Sequence, residues 1–219
     1  MGFLLALEGI DGSGKGTQAA RLAERAREDG RSAAIFSFPT YDGNPFAVAI
    51  ADYLNGAFGS ADEVHPELAA LLYAADRFHA RARLVYALES HDLVICDRYV
   101  ASNAAHQGAK LQGEERRRLL DWLDEVEYGE FGLPRPDLVV LLDTPPAVAR
   151  TLVARKGARG YTTLEADIHE DDAAHSAATR DVYLELAQRG NWRIVPTARA
   201  DGTPRDVDEI SDEIWELVR

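Results

Sequence analysis

One stretch near the start of the chain leaves little freedom of fold. It reads Gly9-Ile10-Asp11-Gly12-Ser13-Gly14-Lys15-Gly16-Thr17-Gln18 and follows directly on the apolar run Phe3-Leu4-Leu5-Ala6-Leu7. A short apolar run bounded by glycine predicts a buried strand, and the amphipathic sequence after Lys15 predicts a helix. Between them the glycines permit a tight turn that aims backbone N–H groups inward. Strand, glycine loop and helix in that order build a cradle for an anion. The amides converge, the helix presents its positive end, and Lys15 adds a point charge that reaches the outer phosphates of a nucleotide. The strict phosphate-loop pattern has Ser or Thr immediately after the lysine; here Gly16 intervenes before Thr17.

Further strand-like runs lie at 32–38, 92–97, 137–143 and 192–196, in addition to 3–8, and alternate with helical segments. That alternation is the signature of a parallel sheet covered by helices, here a three-layer α/β/α sandwich with five parallel strands in one domain spanning 1–219. The runs 93–96 and 138–142 are continuously apolar, as strands buried on both faces must be. The first helix is expected from Lys15 to Asp29, with Leu22, Ala23 and Ala26 inward and Gly30 as a left-handed stop. A last helix at about 206–218 carries Val207, Ile210, Ile214 and Leu217 at helical spacing. The segment 155–170 has weak periodicity and clustered charge, and reads as a mobile excursion between two helices.

A net charge of −13 argues against non-specific binding to nucleic acid or an anionic membrane. Against that background Arg150, Arg155, Lys156 and Arg159 form a local basic segment, and Lys15 is one of only three lysines. A single cysteine, Cys96, excludes an internal disulfide and suits a reducing cytoplasm. No run resembles a membrane span or a signal peptide.

The helix beginning at Pro66 carries Leu68, Leu71, Ala75, Phe78, Ala82 and Val85 as one apolar stripe, suited either to a core or to a homodimer contact. Tyr73 and Arg77 stand about 150° away from it, at roughly 100° per residue, and share a face as an i, i+4 pair. Taken alone, that face reads as solvated. Further on, the strand Leu93-Val94-Ile95-Cys96 runs into Asp97-Arg98-Tyr99-Val100-Ala101-Ser102-Asn103-Ala104-Ala105-His106-Gln107. Ligands of open α/β sheets bind beyond the carboxyl ends of strands, so Asp97 and Arg98 are expected in the crevice that holds the phosphate loop. An aspartate there can hold Mg²⁺ through water, and an arginine can grip a phosphate bidentately.

With its Gly-Lys-Gly-Thr-Gln run, the loop resembles those of nucleoside monophosphate kinases. The Asp97-Arg98-Tyr99 motif with Ser102 and Ala104-Ala105-His106 resembles the hallmark of thymidylate kinases. Leu71 to Arg77, Gly132 to Leu138, Arg150 to Tyr161 and Asp167 to Glu170 also resemble regions of that family. The resemblance implies a Mg²⁺-dependent enzyme that transfers the γ-phosphate of ATP to dTMP, as a cytoplasmic homodimer with a lid at about 150–166. It implies ATP contacts from Gly9, Ile10, Asp11, Gly12, Ser13, Gly14, Lys15, Gly16, Thr17 and Gln18. Mg²⁺ would be organised by Asp97, Thr17 and Asp11. Lys15, Asp97, Arg98 and a lid arginine, Arg155 or Arg159, would be catalytic. Phe38, Tyr73, Arg77, Arg98, Ser102, Asn103, His106, Tyr161 and Asp11 would contact dTMP.

Three departures stand out. Gly12 occupies the place of a mid-loop arginine, Thr40 lies close to the usual place of an acceptor-binding arginine, and His106 replaces a Tyr or Phe. Rival readings are a kinase for another nucleoside monophosphate or a deoxynucleoside, and a non-catalytic nucleotide-binding module. A GTP switch would need an Asn-Lys-x-Asp motif, and no asparagine here is followed by lysine.

Overall fold

Every apolar strand run folds as the sequence predicts, with ends shifted by at most a residue. In the computed structural model, which describes residues 1–41, 43–60, 63–154 and 173–219, the strands are β1 (Phe3–Glu8), β2 (Ala33–Ser37), β3 (Leu93–Asp97), β4 (Leu138–Asp143) and β5 (Trp192–Pro196). They form one sheet in the order β2-β3-β1-β4-β5, and every neighbouring pair is parallel. The helices are α1 (Lys15–Glu28), α2 (Pro45–Leu54), α3 (Pro66–Ser90), α4 (Val100–Gly108), α5 (Gly113–Asp124), α6 (Pro146–Ala154), α7 (Ala173–Leu186) and α8 (Val207–Val218). A π-helical segment, Glu125–Glu130, extends α5.

Alternation along the strands divides the interior in two. Leu5, Leu7, Leu93, Ile95, Val140 and Leu142 face Leu22 and Ala23 of α1 and Ile210 and Ile214 of α8. Their neighbours Leu4, Ala6, Val94, Cys96, Val139 and Leu141 face α3, α4, α5 and α7. Helices thus cover both faces, which is why the central strands carry no polar residue before their carboxyl ends. Gly30 closes α1 at φ 76°, a conformation that favours glycine. On α8, Trp215 and Val218 complete the buried face. Val207, in the first turn, and Leu217, at the margin of that face, stay 38% and 36% exposed, against the sequence expectation.

α3 differs most from its sequence reading. Its large apolar stripe points outward: Leu68 is 64% exposed, Leu71 41% and Phe78 48%. The inward face consists of Ala69, Ala70, Ala74, Ala80, Leu84, Ala87 and Leu88, together with Asp76 and Arg77. Both faces are apolar, so periodicity did not distinguish them. Small side chains decide the matter, because alanines let α3 approach α2 and α4 closely while leaving room for a buried arginine. The face expected to be solvated is therefore the interior one. Of the expected lid at 150–166, residues 150–154 belong to α6 and 155–166 lie outside the described residues.

Leu84 is fully buried on the inner face. Leu84→Ala is expected to lower the unfolding free energy by about 2–5 kcal/mol in urea denaturation, the usual cost of a leucine-sized core cavity.

Candidate active site

The register of the central strands brings the chemistry together. Leu7 pairs with Asp97 and Ser37 pairs with Asp97 from the other side, so the phosphate loop, the Asp97-Arg98 turn and the segment after β2 leave the sheet at one edge.

In the loop, Gly9, Gly12 and Gly14 all have positive φ, at 143°, 82° and 92°. Gly12 is the most constrained: a Cβ there would lie 2.5 Å from the Ala149 carbonyl oxygen and 2.9 Å from Val153 Cγ2. No arginine fits at that place unless α6 moves, so the loop carries no cation besides Lys15. Gly16 has a different reason, since a Cβ would sit 2.9 Å from Asp97 Oδ2. The carboxylate of Asp97 therefore covers the loop between Lys15 and Thr17. Lys15 is buried, and its Nζ donates to the carbonyls of Gly9 (3.0 Å) and Ile10 (2.9 Å) and to Ser13 Oγ (3.3 Å). Burial, and then the charge of Arg98, pull its pKa down to about 8, while Asp11, Asp97 and Glu8 hold it up. Ile10 and Ser13 are buried, Thr17 is exposed in the first turn of α1, and Gln18 Nε2 donates to the Val207 carbonyl at 2.9 Å.

Arg98 adopts φ 66°, left-handed for a non-glycine residue, at a cost of about 1–3 kcal/mol that the surroundings must offset. Its own N–H donates to Leu7 O at 3.0 Å. The next N–H, that of Tyr99, donates to Glu8 Oε1 at 2.8 Å. Glu8 is fully buried and also accepts from Ser102 N (3.2 Å), Ser102 Oγ (2.6 Å) and Tyr183 Oη (3.0 Å). Burial raises its pKa, against the pull of these hydrogen bonds and of Arg98. With its backbone so held, the Arg98 guanidinium donates through Nη2 to Asp11 Oδ1 at 2.6 Å and through Nη1 to Ser102 Oγ at 3.2 Å. Nη1 also lies 3.2 Å from His106 Nε2. Burial opposes the Arg98 charge, but Asp11 and the neighbouring acids keep its pKa well above the ordinary arginine value.

Beside this turn lies a cavity of about 240 Å³ lined by Phe38, Tyr73, Arg77, Arg98, Asn103 and His106. Asp11, Ser102 and Tyr41 also border it. Arg77 is 2% exposed and forms a forked pair with Glu127, Nε to Oε2 at 2.6 Å and Nη2 to Oε1 at 2.8 Å. Asn103 Nδ2 donates to Glu127 Oε1 and to the Ala70 carbonyl, each at 2.9 Å. The buried Asn103 Oδ1 and Gln107 Oε1 have no hydrogen-bond partner among the described residues. Thr40 turns away from the cavity: its N–H and Oγ1 donate to Asp76 at 2.9 and 2.6 Å, and Asn44 Nδ2 joins them on Asp76 at 2.8 Å. The residue close to the expected arginine position thus helps to fix the loop after β2.

Glu8, Asp76 and Glu127 carry much of this geometry, and none was singled out from sequence. Glu8 ends an apolar run and Asp76 adjoins Arg77, which are weak signals. Glu127 stands among Glu125, Glu127 and Glu130, and only the π-helical turn decides which of them faces inward. Arg155, Arg159 and Tyr161 lie outside the described residues. For a divalent cation, Asp97, which approaches Gly16, offers one carboxylate, and Thr17, the next residue of α1, one hydroxyl. Such a sparse oxygen set fits Mg²⁺, which keeps most of its water and is shared with substrate phosphates. No larger cluster of acids, histidines or cysteines stands ready for a metal among the described residues.

Glu127→Ala would leave the Arg77 charge buried without its partner. It is expected to lower stability by about 3–5 kcal/mol in chemical denaturation, and the double change Arg77→Met with Glu127→Leu to recover part of that loss.

The sequence profile of the thymidylate kinase family matches residues 7–204. The thymidylate kinase of Mycobacterium tuberculosis (strain CDC 1551 / Oshkosh) is 36% identical over 201 residues, covering 88% of this chain and 91% of the relative. That of Thermomicrobium roseum is 35% identical over 222 residues, covering 100% and 95%. A solved thymidylate kinase structure from Candida albicans superposes with a TM-score of 0.74 at 24% identity, over 99% of this chain and 91% of that one, and shares the fold. With the profile spanning most of the chain and relatives above one-third identity along nearly its whole length, this chain belongs to the thymidylate kinase family.

Proposed function

We propose that the protein transfers the γ-phosphate of ATP to dTMP with Mg²⁺, giving dTDP. One observation carries the choice of acceptor: the hydrogen-bonding edge in the cavity. Arg77 commits Nε and Nη2 to Glu127, so Nη1 is the nitrogen left to donate, and Asn103 Oδ1 and Gln107 Oε1 are buried acceptors without a partner among the described residues; all three residues line the cavity. A donor and an acceptor in one cavity complement the O4 carbonyl and N3–H of thymine. Cytosine presents the reverse pattern, an amino donor and a bare ring nitrogen. Tyr73 and Phe38 supply flat apolar surface for the ring, and Arg98 meets the acceptor phosphate with a guanidinium already oriented by Asp11 and Ser102.

On the donor side, the loop amides and Lys15 hold the phosphates of ATP. The lysine leaves the carbonyls of Gly9 and Ile10 when a phosphate offers a better partner. Asp97 and Thr17 would hold Mg²⁺ and its waters, which would supply neutralisation of phosphate charge, while Asp11 serves Arg98 and the acceptor side. Resemblance to the family assigns the transferring group to a lid arginine, Arg155 or Arg159, and a dTMP contact to Tyr161, all three outside the described residues. Phosphoryl transfer asks chiefly for such positioning and charge stabilisation, so no covalent intermediate with the protein is needed. A reducing cytoplasm accords with the single, buried Cys96. No helix among the described residues is long and apolar enough to cross a membrane.

We also propose that two chains associate through the outward face of α3. Leu68, Leu71, Phe78 and Tyr86 form an exposed apolar strip there, and Phe46 and Val48 on α2 are likewise exposed. A strip of this kind marks a contact surface.

ADP release should be measured with ATP and Mg²⁺ across dTMP, dUMP, dCMP, UMP and AMP. The specificity constant is expected to be at least about 100-fold higher for dTMP than for dCMP, because dCMP leaves buried polar groups mispaired. Equal turnover of the two would remove the base-edge assignment. For the second proposal, sedimentation should give twice the mass of one chain, and Leu68→Glu with Leu71→Glu should give a folded single chain. A parent protein that sediments as one chain at micromolar concentration contradicts it.

A further inference from the structure

His106 is the residue by which this site departs most visibly from its family pattern, and its contact with Arg98 restricts its chemistry. A guanidinium has no lone pair and stays charged at any physiological pH, so in the 3.2 Å contact Arg98 Nη1 must be the donor. Nε2 of His106 must therefore be the acceptor. That requires a neutral ring with its proton on Nδ1. The ring is placed by α7, where His175 lies 6.0 Å away between ring centroids and Tyr183 meets it edge-on at 6.3 Å. Among the described residues, the charged and titratable groups around it are Arg98 at the end of β3, His175 and Tyr183 on α7, and Glu8 on β1, reached through Tyr183 and Ser102. Arg98 Nη1 is in direct contact with Nε2.

We propose that His106, as the neutral Nδ1–H tautomer, is a positioning residue for Arg98, and that its protonation releases the guanidinium from its acceptor-binding orientation. Three acceptors hold the terminal nitrogens: Asp11 on Nη2, and Ser102 and His106 on Nη1. With both ring nitrogens protonated, the Nη1 contact becomes donor against donor and cation against cation. The arginine or the ring must then move. A Tyr or Phe at this place would have no such dependence below pH 7, so the proton sensitivity belongs to this chain's own residue. The inference rests on the reading that Arg98 binds the acceptor phosphate.

Steady-state kinetics from pH 5.5 to 8.5 test it, on the parent enzyme and on His106→Phe, His106→Gln and Arg98→Ala. At pH 8, His106→Phe is expected to raise KM for dTMP about fivefold or more while KM for ATP stays within about twofold. His106→Gln, which keeps an uncharged acceptor, should raise it less. A phosphate monoester itself takes up a proton near pH 6, so some loss of kcat/KM in acid is common to all variants. The parent should fall more steeply, approaching two protons, and His106→Gln with one. Equal acid slopes in the two, or a His106→Phe enzyme with the parent's KM for dTMP, would overturn the inference. Arg98→Ala separates the two levels: if it raises KM for dTMP while His106→Phe does not, only the role of His106 falls. If Arg98→Ala leaves that KM unchanged, the reading of Arg98 as phosphate binder falls, and this inference with it.

Discussion

A buried carboxylate ties the two halves of the site together. Glu8 ends the central strand β1, and from there it accepts from the backbone of Tyr99, the backbone and hydroxyl of Ser102, and the hydroxyl of Tyr183. These are the amides at the start of α4, which in an isolated helix would need a cap of their own. Here a neighbouring strand supplies it. Arg98, one residue earlier, is thereby held in a left-handed conformation that it would otherwise avoid. The phosphate loop begins at the residue after Glu8, so one side chain fixes the distance between the loop and the arginine turn. Desolvation of this carboxyl is offset by four donors, as a buried charge requires.

The cavity beside Arg98 depends on a second buried anion. Glu127 fixes Arg77 with two short hydrogen bonds and Asn103 with a third. Such a pair gains little net stability over a well-packed apolar substitute. Its effect is geometric: it commits one edge of the guanidinium and one end of the amide, and so fixes the orientation of both side chains. Asp76 does comparable work for the loop after β2 by gathering Thr40 and Asn44. In each case a carboxylate that touches no reacting atom decides where another side chain can point.

The strands, their parallel order and the phosphate loop were legible because each rests on local information. Continuous apolar runs mark β3 and β4, glycines at special φ mark the loop, and the ends of α1 are set by Lys15 and Gly30. α3 was less legible. Its stripe of Leu68, Leu71 and Phe78 is the stronger periodic signal, yet it faces outward, while an alanine face bearing Asp76 and Arg77 turns in. Hydrophobic periodicity measures where large side chains lie. It does not register that small ones permit the closer approach, nor that a distant glutamate compensates an arginine.

The chain's local chemistry determined that a nucleotide phosphate site forms at the carboxyl edge of a parallel sheet, and that Asp97 and Arg98 emerge beside it. Whether Arg77 lay in solvent or in the interior, which of three nearby glutamates met it, and which atoms His106 and Thr40 addressed were decided only by tertiary structure. The reason is physical. Those outcomes depend on partners 36, 50 and 8 residues away in the chain, brought within hydrogen-bond range by the packing of α3, α4 and the π-helical turn against one another.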